Sequence, residues 1–224
     1  GGRNIRDKDA LYAARAQMEA VRKATDLIIT IYMTIQHPLL RPETSDSVTR
    51  NCPTLDEAIA AAKVFEGVVD IFQFRPAAAM GMHPTGWNQE KGKPEALYLA
   101  RAIRDAGVKM ILAPNAGFQD LDENEDFIAS GQCDMITMSR AWHADLEYGK
   151  KAYEGRGEDV VPCILCNRCH GPGFTGPWYA ACSVNPRIGL PSTLAAIESP
   201  TRSKKVAVIG GGPAGMKAAI TAAE

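Results

Sequence analysis

Apolar positions fall into two alternating rhythms along most of this chain. Leu11, Ala14, Met18 and Val21 recur at helical spacing, which predicts a helix over residues 10–24 with one inward face. Leu27-Ile28-Ile29-Thr30-Ile31-Tyr32-Met33 is an unbroken apolar and β-branched run, the pattern of a buried strand. Thr54-Leu55-Asp56-Glu57 has capping-box spacing, and the helix it opens turns Leu55, Ile59, Ala62 and Phe65 inward before stopping at Gly67. Val68 to Phe74 reads as the next strand. Pro94 starts a helix with Leu97, Ala100 and Ile103 inward, ending at Gly107. Val108 to Ala113 is a strand, residues 123–130 a short helix ending at Gly131, Cys133 to Met138 a strand, and Ala141 to Tyr153 a helix.

Four apolar strands alternating with helices predict an α/β fold with a parallel sheet covered on both faces. Two loops favour a (β/α)₈ barrel over an open doubly wound sheet. Pro114-Asn115-Ala116-Gly117-Phe118 follows the third strand, and Ser139-Arg140 the fourth. Barrels often hold a phosphate between two such loops, on backbone N–H groups and a helix N-terminus. Asn115, Ala116, Gly117, Ser139 and Arg140 are the candidates; turn chemistry and a surface arginine are the alternative. A whole barrel needs about 250 residues, so these units are expected to be its C-terminal half, with the other half preceding Gly1.

Composition agrees with a folded domain. The chain has 224 residues, 46% hydrophobic and 23% charged, and a net charge of -1 from 25 Lys and Arg against 26 Asp and Glu. This excludes collagen-like and disordered classes and lacks the basic excess of a nucleic-acid binder. No apolar run approaches the roughly 18 residues of a membrane span. No export signal is visible, so the expected location is the cytoplasm and the expected partners are small molecules, with neither nucleic acid nor membrane; a homo-oligomer is compatible with the sequence.

The cysteines are unevenly placed. Cys52 and Cys133 stand alone, whereas Cys163, Cys166, Cys169 and Cys182 follow a Cys-x2-Cys-x2-Cys-x12-Cys pattern. Clustered thiols in a chain without secretion features indicate a metal. Four thiolates suit tetrahedral zinc or a [4Fe–4S] cube; three closely spaced ligands plus a remote one favour the cube, and zinc stays open. His170 is placed to hydrogen-bond a cluster rather than to ligate it. Residues 191–203, with Pro191, Ser192, Ser199, Pro200 and Ser203, read as a linker. Val206 to Ile209 then reads as a strand, followed by Gly210, Gly212 and Gly215 opening an Ala-rich helix. That context is the one a dinucleotide-binding GxGxxG requires. The expected segments are a half-barrel over 1–157, a cluster segment over 158–190, the linker, and the start of a Rossmann-like domain over 204–224.

This order of parts resembles the old yellow enzyme-like NADH:flavin oxidoreductases with C-terminal extensions, the family of 2,4-dienoyl-CoA reductase and trimethylamine dehydrogenase. The resemblance rests on the Cys163–Cys182 spacing, Cys166-Asn167-Arg168-Cys169, Ser183-Val184-Asn185-Pro186-Arg187, and Val206 through Gly215. It implies an internal piece of a longer enzyme, with FMN in the barrel, one [4Fe–4S] cluster, FAD or another ADP-containing dinucleotide in the last domain, and NAD(P)H as electron donor. It also implies reduction of an activated C=C bond, or amine oxidation with electron flow reversed. A non-catalytic zinc or electron-transfer module is the reading from another class. Ala116 and Gly117 would offer N–H groups to the FMN phosphate, and Ser139-Arg140 would close on it. His83, in the loop after Phe74, is the candidate catalytic residue as proton donor or carbonyl ligand, with Trp87 near it. One departure stands out: relatives often carry an arginine on the strand that here reads Thr30-Ile31-Tyr32-Met33.

Overall fold

The structure is a computed structural model that describes residues 5–36, 52–77, 92–170, 181–189 and 202–223. The chain divides into two compact units, Gly1–Gly189 and Leu190–Glu224.

In the first unit, helix α1 (Lys8–Ala24) leads to strand β1 (Thr30–Ile35), α2 (Leu55–Phe65), β2 (Ile71–Pro76), α3 (Gly92–Asp105), β3 (Ile111–Pro114) and α4 (Leu121–Ala129). Two short helices follow, α5 (Arg140–Ala144) and α6 (Tyr148–Tyr153), then single 3-10 turns at Gly157–Asp159 and Arg168–His170. The helix boundaries have local causes. Asp7 caps α1 by accepting from the Asp9 and Ala10 amides. Thr54 and Glu57 form the full capping box of α2. Gly107, beyond α3, takes a φ of 89°, a left-handed conformation that favours glycine.

The three strands form one parallel sheet in the order β1-β2-β3. Its register sorts the side chains. Ile31, Met33 and Ile35 lie beside Phe72, Phe74 and Pro76, with Leu112 and Pro114 beyond. Against this face pack Ala58, Ala61, Ala62 and Phe65 of α2 and Ala96, Leu99, Ala100 and Ile103 of α3, all in one buried core. The other face carries Tyr32, Thr34, Gln73 and Arg75. The strands are therefore not apolar throughout on both faces, as the sequence suggested; the second face mixes these polar residues with buried Ile71 and Ala113.

Four sequence expectations need correction. Leu27 and Ile28 are 75% and 71% exposed and precede β1, which begins where Thr30 pairs with Ile71. Val21 is exposed rather than inward. Residues 133–138 form no strand: the Asp134 carboxylate takes the Leu112 N–H at 2.7 Å, and the Asp134 and Met135 amides both converge on the Leu112 carbonyl. Only a single parallel bridge, Asn115 to Thr137, remains there. Finally, the expected helix over 141–153 is broken. Asp145 is extended, and its carboxylate accepts from the Glu147 amide at 2.9 Å, an alternative to the helical ladder.

In the second unit, the strand expected over Val206–Ile209 is not formed, since residues 203–210 pair with no strand among the described residues; helix α7 spans Pro213–Ala223. Among the described residues no helix is long and apolar enough to cross a membrane.

Candidate functional site

The C-terminal end of β3 runs into the first half of the site. The Asn115 amide donates to the Phe74 carbonyl at 2.7 Å, and the Thr137 amide to the Pro114 carbonyl at 3.0 Å. The loop is thus tied to β2 on one side and to the segment before Ser139 on the other. Asn115 spends its own N–H on that tie, and Ala116 and Gly117 follow it in the loop. Ser139 precedes α5 and makes no side-chain cap bond.

Helix α5 and the residue after it hold the cysteine segment at three points. Arg140 Nη1 donates to Asn167 Oδ1 at 2.7 Å, inside the Cys-x2-Cys-x2-Cys loop. Asn185 Nδ2, beyond Cys182, donates to the His143 carbonyl at 2.9 Å. Asp145 Oδ2 accepts from the Val161 amide at 3.0 Å and from Lys151 Nζ at 2.6 Å, while Lys151 also reaches the Asp159 carbonyl. The Asp145–Lys151 pair is largely buried, its side chains 6% and 12% exposed. Within the loop, Leu165 and Asn167 both take left-handed φ values, 58° and 57°. Asparagine tolerates this conformation and leucine rarely adopts it, so the loop holds local backbone strain.

The thiols sit in one electrostatic neighbourhood. Burial pushes the Cys163 thiol up, opposed by the Leu165 N–H, at 3.3 Å from its sulfur, and by Arg140. Burial also raises Cys169, and Cys163 adds to that. Cys166 is held below the usual thiol value, chiefly by the Ser183 hydroxyl at 3.2 Å. Burial lowers the Arg140 guanidinium, with Cys163, Cys169 and Cys166 acting against it. Among the described residues no group of three or more His, Cys, Asp or Glu side chains stands at metal-holding geometry. The chemistry of the donors nevertheless fits a four-thiolate group: four soft sulfurs, the Leu165 N–H aimed at one of them, the Ser183 hydroxyl beside another, and a cation bonded to the loop.

The glycine motif of the second unit has its own geometry. A Cβ on Gly215 would stand 2.0 Å from the Gly210 carbonyl oxygen, so no larger residue fits without backbone movement. Gly210 has a φ of 108°, and nothing lies within 4 Å of a Cβ built on Gly211 or Gly212. A tight turn, an open approach and a close packing point are what a pyrophosphate-binding turn needs of its three glycines.

No protein-family profile matches the chain. Individual proteins do. It is 44% identical over 129 residues to the NADH oxidase of Thermoanaerobacter brockii, covering 57% of this chain and 20% of that one. It is 36% identical over 108 residues to the cinnamate reductase of Clostridium sporogenes, 47% of this chain and 16% of that one. A solved 2-naphthoyl-CoA reductase in complex with 2-naphthoyl-CoA superposes over 94% of this chain and 31% of its own, with a TM-score of 0.68 and 25% identity. The chain is a partial match to the old yellow enzyme-like flavin and iron–sulfur oxidoreductases. It spans at most a fifth of the length of these two curated relatives.

This chain brings Arg140 onto Asn167, inside the loop of Cys163, Cys166 and Cys169, and pairs Asn115, just before Ala116 and Gly117, with Thr137. Gly210, Gly212 and Gly215 belong to the separate second unit. His83 and Trp87 lie outside the described residues. Sequence reasoning missed Asn167, Ser183, Asn185 and Asp145. Asn167 and Asn185 stood inside quoted motifs, yet their partners lie 27 and 42 residues away. It also missed Arg75. No arginine occupies β1, but Arg75 of β2 stands beside Thr34 in register, and its Nε donates to Thr34 Oγ1 at 3.2 Å. A cation therefore does reach the polar face of β1, from the neighbouring strand.

Proposed function

We propose that this chain forms part of a flavin- and iron–sulfur-dependent oxidoreductase that uses NAD(P)H to reduce an activated C=C bond in a small molecule of the enoate or enoyl-CoA type. The observation that carries the reading is the convergence on α5: Ser139-Arg140 opens the helix, and the same helix holds the cysteine loop through Arg140 and Asn167. A cinnamate reductase and a 2-naphthoyl-CoA reductase among the similar proteins support the substrate class.

In this reading residues 1–157 are the C-terminal half of a (β/α)₈ barrel, with Tyr32, Thr34, Gln73 and Arg75 on its inward face. Ala116 and Gly117 offer amides to the FMN phosphate; Asn115 fixes their loop; Ser139 and Arg140 close the pocket. Cys163, Cys166, Cys169 and Cys182 hold a [4Fe–4S] group, and Gly210, Gly212 and Gly215 cradle the pyrophosphate of FAD or a related dinucleotide. When bound, the flavin supplies hydride chemistry and the cluster supplies single-electron transfer. The protein's own work is orientation: α5 sets both loops on one rigid support. His83 follows β2 in the sequence and is the candidate proton donor or carbonyl ligand of this reading.

The test is cofactor content of the native polypeptide containing this segment, purified without oxygen. Iron matched by acid-labile sulfide, with FMN, and NAD(P)H consumption dependent on an unsaturated acid or thioester are the expected results. Zinc without sulfide or flavin would overturn the reading. Amine-dependent dye reduction in place of NAD(P)H consumption would move it to amine oxidation.

A further inference from the structure

Arg140 is bonded into the cysteine loop, a contact that a phosphate role alone does not explain. Its guanidinium is half-buried, and burial of a cation costs free energy unless an anion faces it. Among the described residues it forms no ion pair with a carboxylate, whereas ten other pairs are made elsewhere. Its hydrogen bond goes to Asn167 Oδ1, on a side chain buried to 6% and a backbone held left-handed at φ 57°. The charges that act on it are the sulfurs of Cys163, Cys169 and Cys166. Through Asn167, Arg140 thus borders the cysteine loop, whose sulfurs become negative once they ligate a metal group.

We propose that Arg140 is the counter-charge of the four-cysteine site and, through its bond to Asn167, the residue that positions the loop carrying Cys166 and Cys169. The inference rests on the iron–sulfur reading given above and extends it to a role for one side chain. Its physical consequence is definite. Adding an electron to a thiolate-bound cluster makes the site more negative, and a fixed cation alongside favours that reduced form more than the oxidised one. Arg140 therefore raises the midpoint potential of the cluster. Its planar fork also fixes the Asn167 amide, so it restrains the left-handed turn between two ligands.

The experiment is a redox titration of the cluster, followed by electron paramagnetic resonance, in the full-length enzyme with its flavin and iron in place. Iron and FMN contents are measured on each sample. The variants are Arg140→Gln, Arg140→Lys and Asn167→Gly, the last keeping the left-handed backbone accessible. In Arg140→Gln the one-electron equilibrium should move about tenfold toward the oxidised form, about 59 mV to the negative. Arg140→Lys should retain most of the wild-type potential, because the charge stays. Asn167→Gly should shift the potential in the same direction by less, with FMN content unchanged. Unchanged potentials in Arg140→Gln and Asn167→Gly, with FMN lost from the former, would assign Arg140 to the phosphate alone and overturn the proposal. Should Arg140→Gln fail to fold, Asn167→Gly decides by the same criterion. A wild-type enzyme without iron and sulfide would overturn the functional reading and this inference with it; a loaded cluster with an unmoved potential would overturn this inference alone.

Discussion

Cys133 and Gly215 show how one position's surroundings set its chemistry. Cys133 is 4% exposed and packs in the core, and burial first, then Asp134, pushes its thiol up to about 11. It should stay unmodified by iodoacetamide in the native protein at pH 8 and react after denaturation, as read by mass spectrometry of the Cys133 peptide. Gly215 is constrained by space instead. Gly215→Ala places a Cβ where the Gly210 carbonyl oxygen already stands. Under the proposed function, the expected outcome in the full-length protein is loss of the outer dinucleotide with FMN and iron retained, measured by nucleotide release and chromatography. The glycine spacing was visible in the sequence; the reason Gly215 tolerates nothing larger needed the coordinates, because it depends on where a carbonyl five residues earlier points.

Elements were legible where their causes are local, and illegible where they are not. The Thr54–Glu57 capping box and the apolar faces of α2 and α3 follow from neighbours in sequence, and the structure has them. The strand expected over 133–138 fails because Asp134 intercepts Leu112 with a side chain, a competition set 22 residues away. The helix expected over 141–153 breaks because the Asp145 carboxylate serves the Glu147 and Val161 amides and Lys151. Burial works to raise the Asp145 carboxyl, but Lys151 and the two N–H groups win and hold it below its ordinary 3.8. A carboxyl lowered in the folded state gives stability that is complete above 3.8 and lost as pH falls through the lowered value. The segment before Cys163 should therefore loosen in acid, seen as faster hydrogen exchange at the Val161 amide. Asp145→Asn leaves Lys151 buried without its anion and should cost about 3 kcal/mol in urea unfolding. Phe72→Ala, at a fully buried position whose ring lies tilted 5.4 Å from that of Phe74, should cost about 3–5 kcal/mol by the same measurement.

At the scale of the whole molecule, the sheet has two unlike margins. Beyond β3, residues 134–137 take the outward hydrogen-bonding groups of Leu112 and Pro114. Beyond β1, among the described residues, no strand pairs, and Leu27 and Ile28 stand exposed beside it. An uncovered strand margin invites pairing with another chain. The isolated 224-residue polypeptide should therefore self-associate, and light scattering after size exclusion should show a mass above the 24.1 kDa of one chain. The α/β alternation behind this architecture was readable from apolar rhythm. The polar positions of the second face do alternate in the sequence, at Thr30, Tyr32 and Thr34 and at Gln73 and Arg75, but that Thr34 and Arg75 stand side by side depends on the strand register.

The three ties from the α5 region to the cysteine segment span 16, 27 and 42 residues. These are long-range contacts, and they close as α5 and the cysteine segment pack together, with a loop cost that grows only slowly with length. The thiols would then be brought together by the polypeptide's own folding, before any metal arrives. A scaffold donating preassembled iron and sulfide would meet a receptive loop rather than a random coil, and maturation would become a transfer between two ordered surfaces instead of a templated collapse.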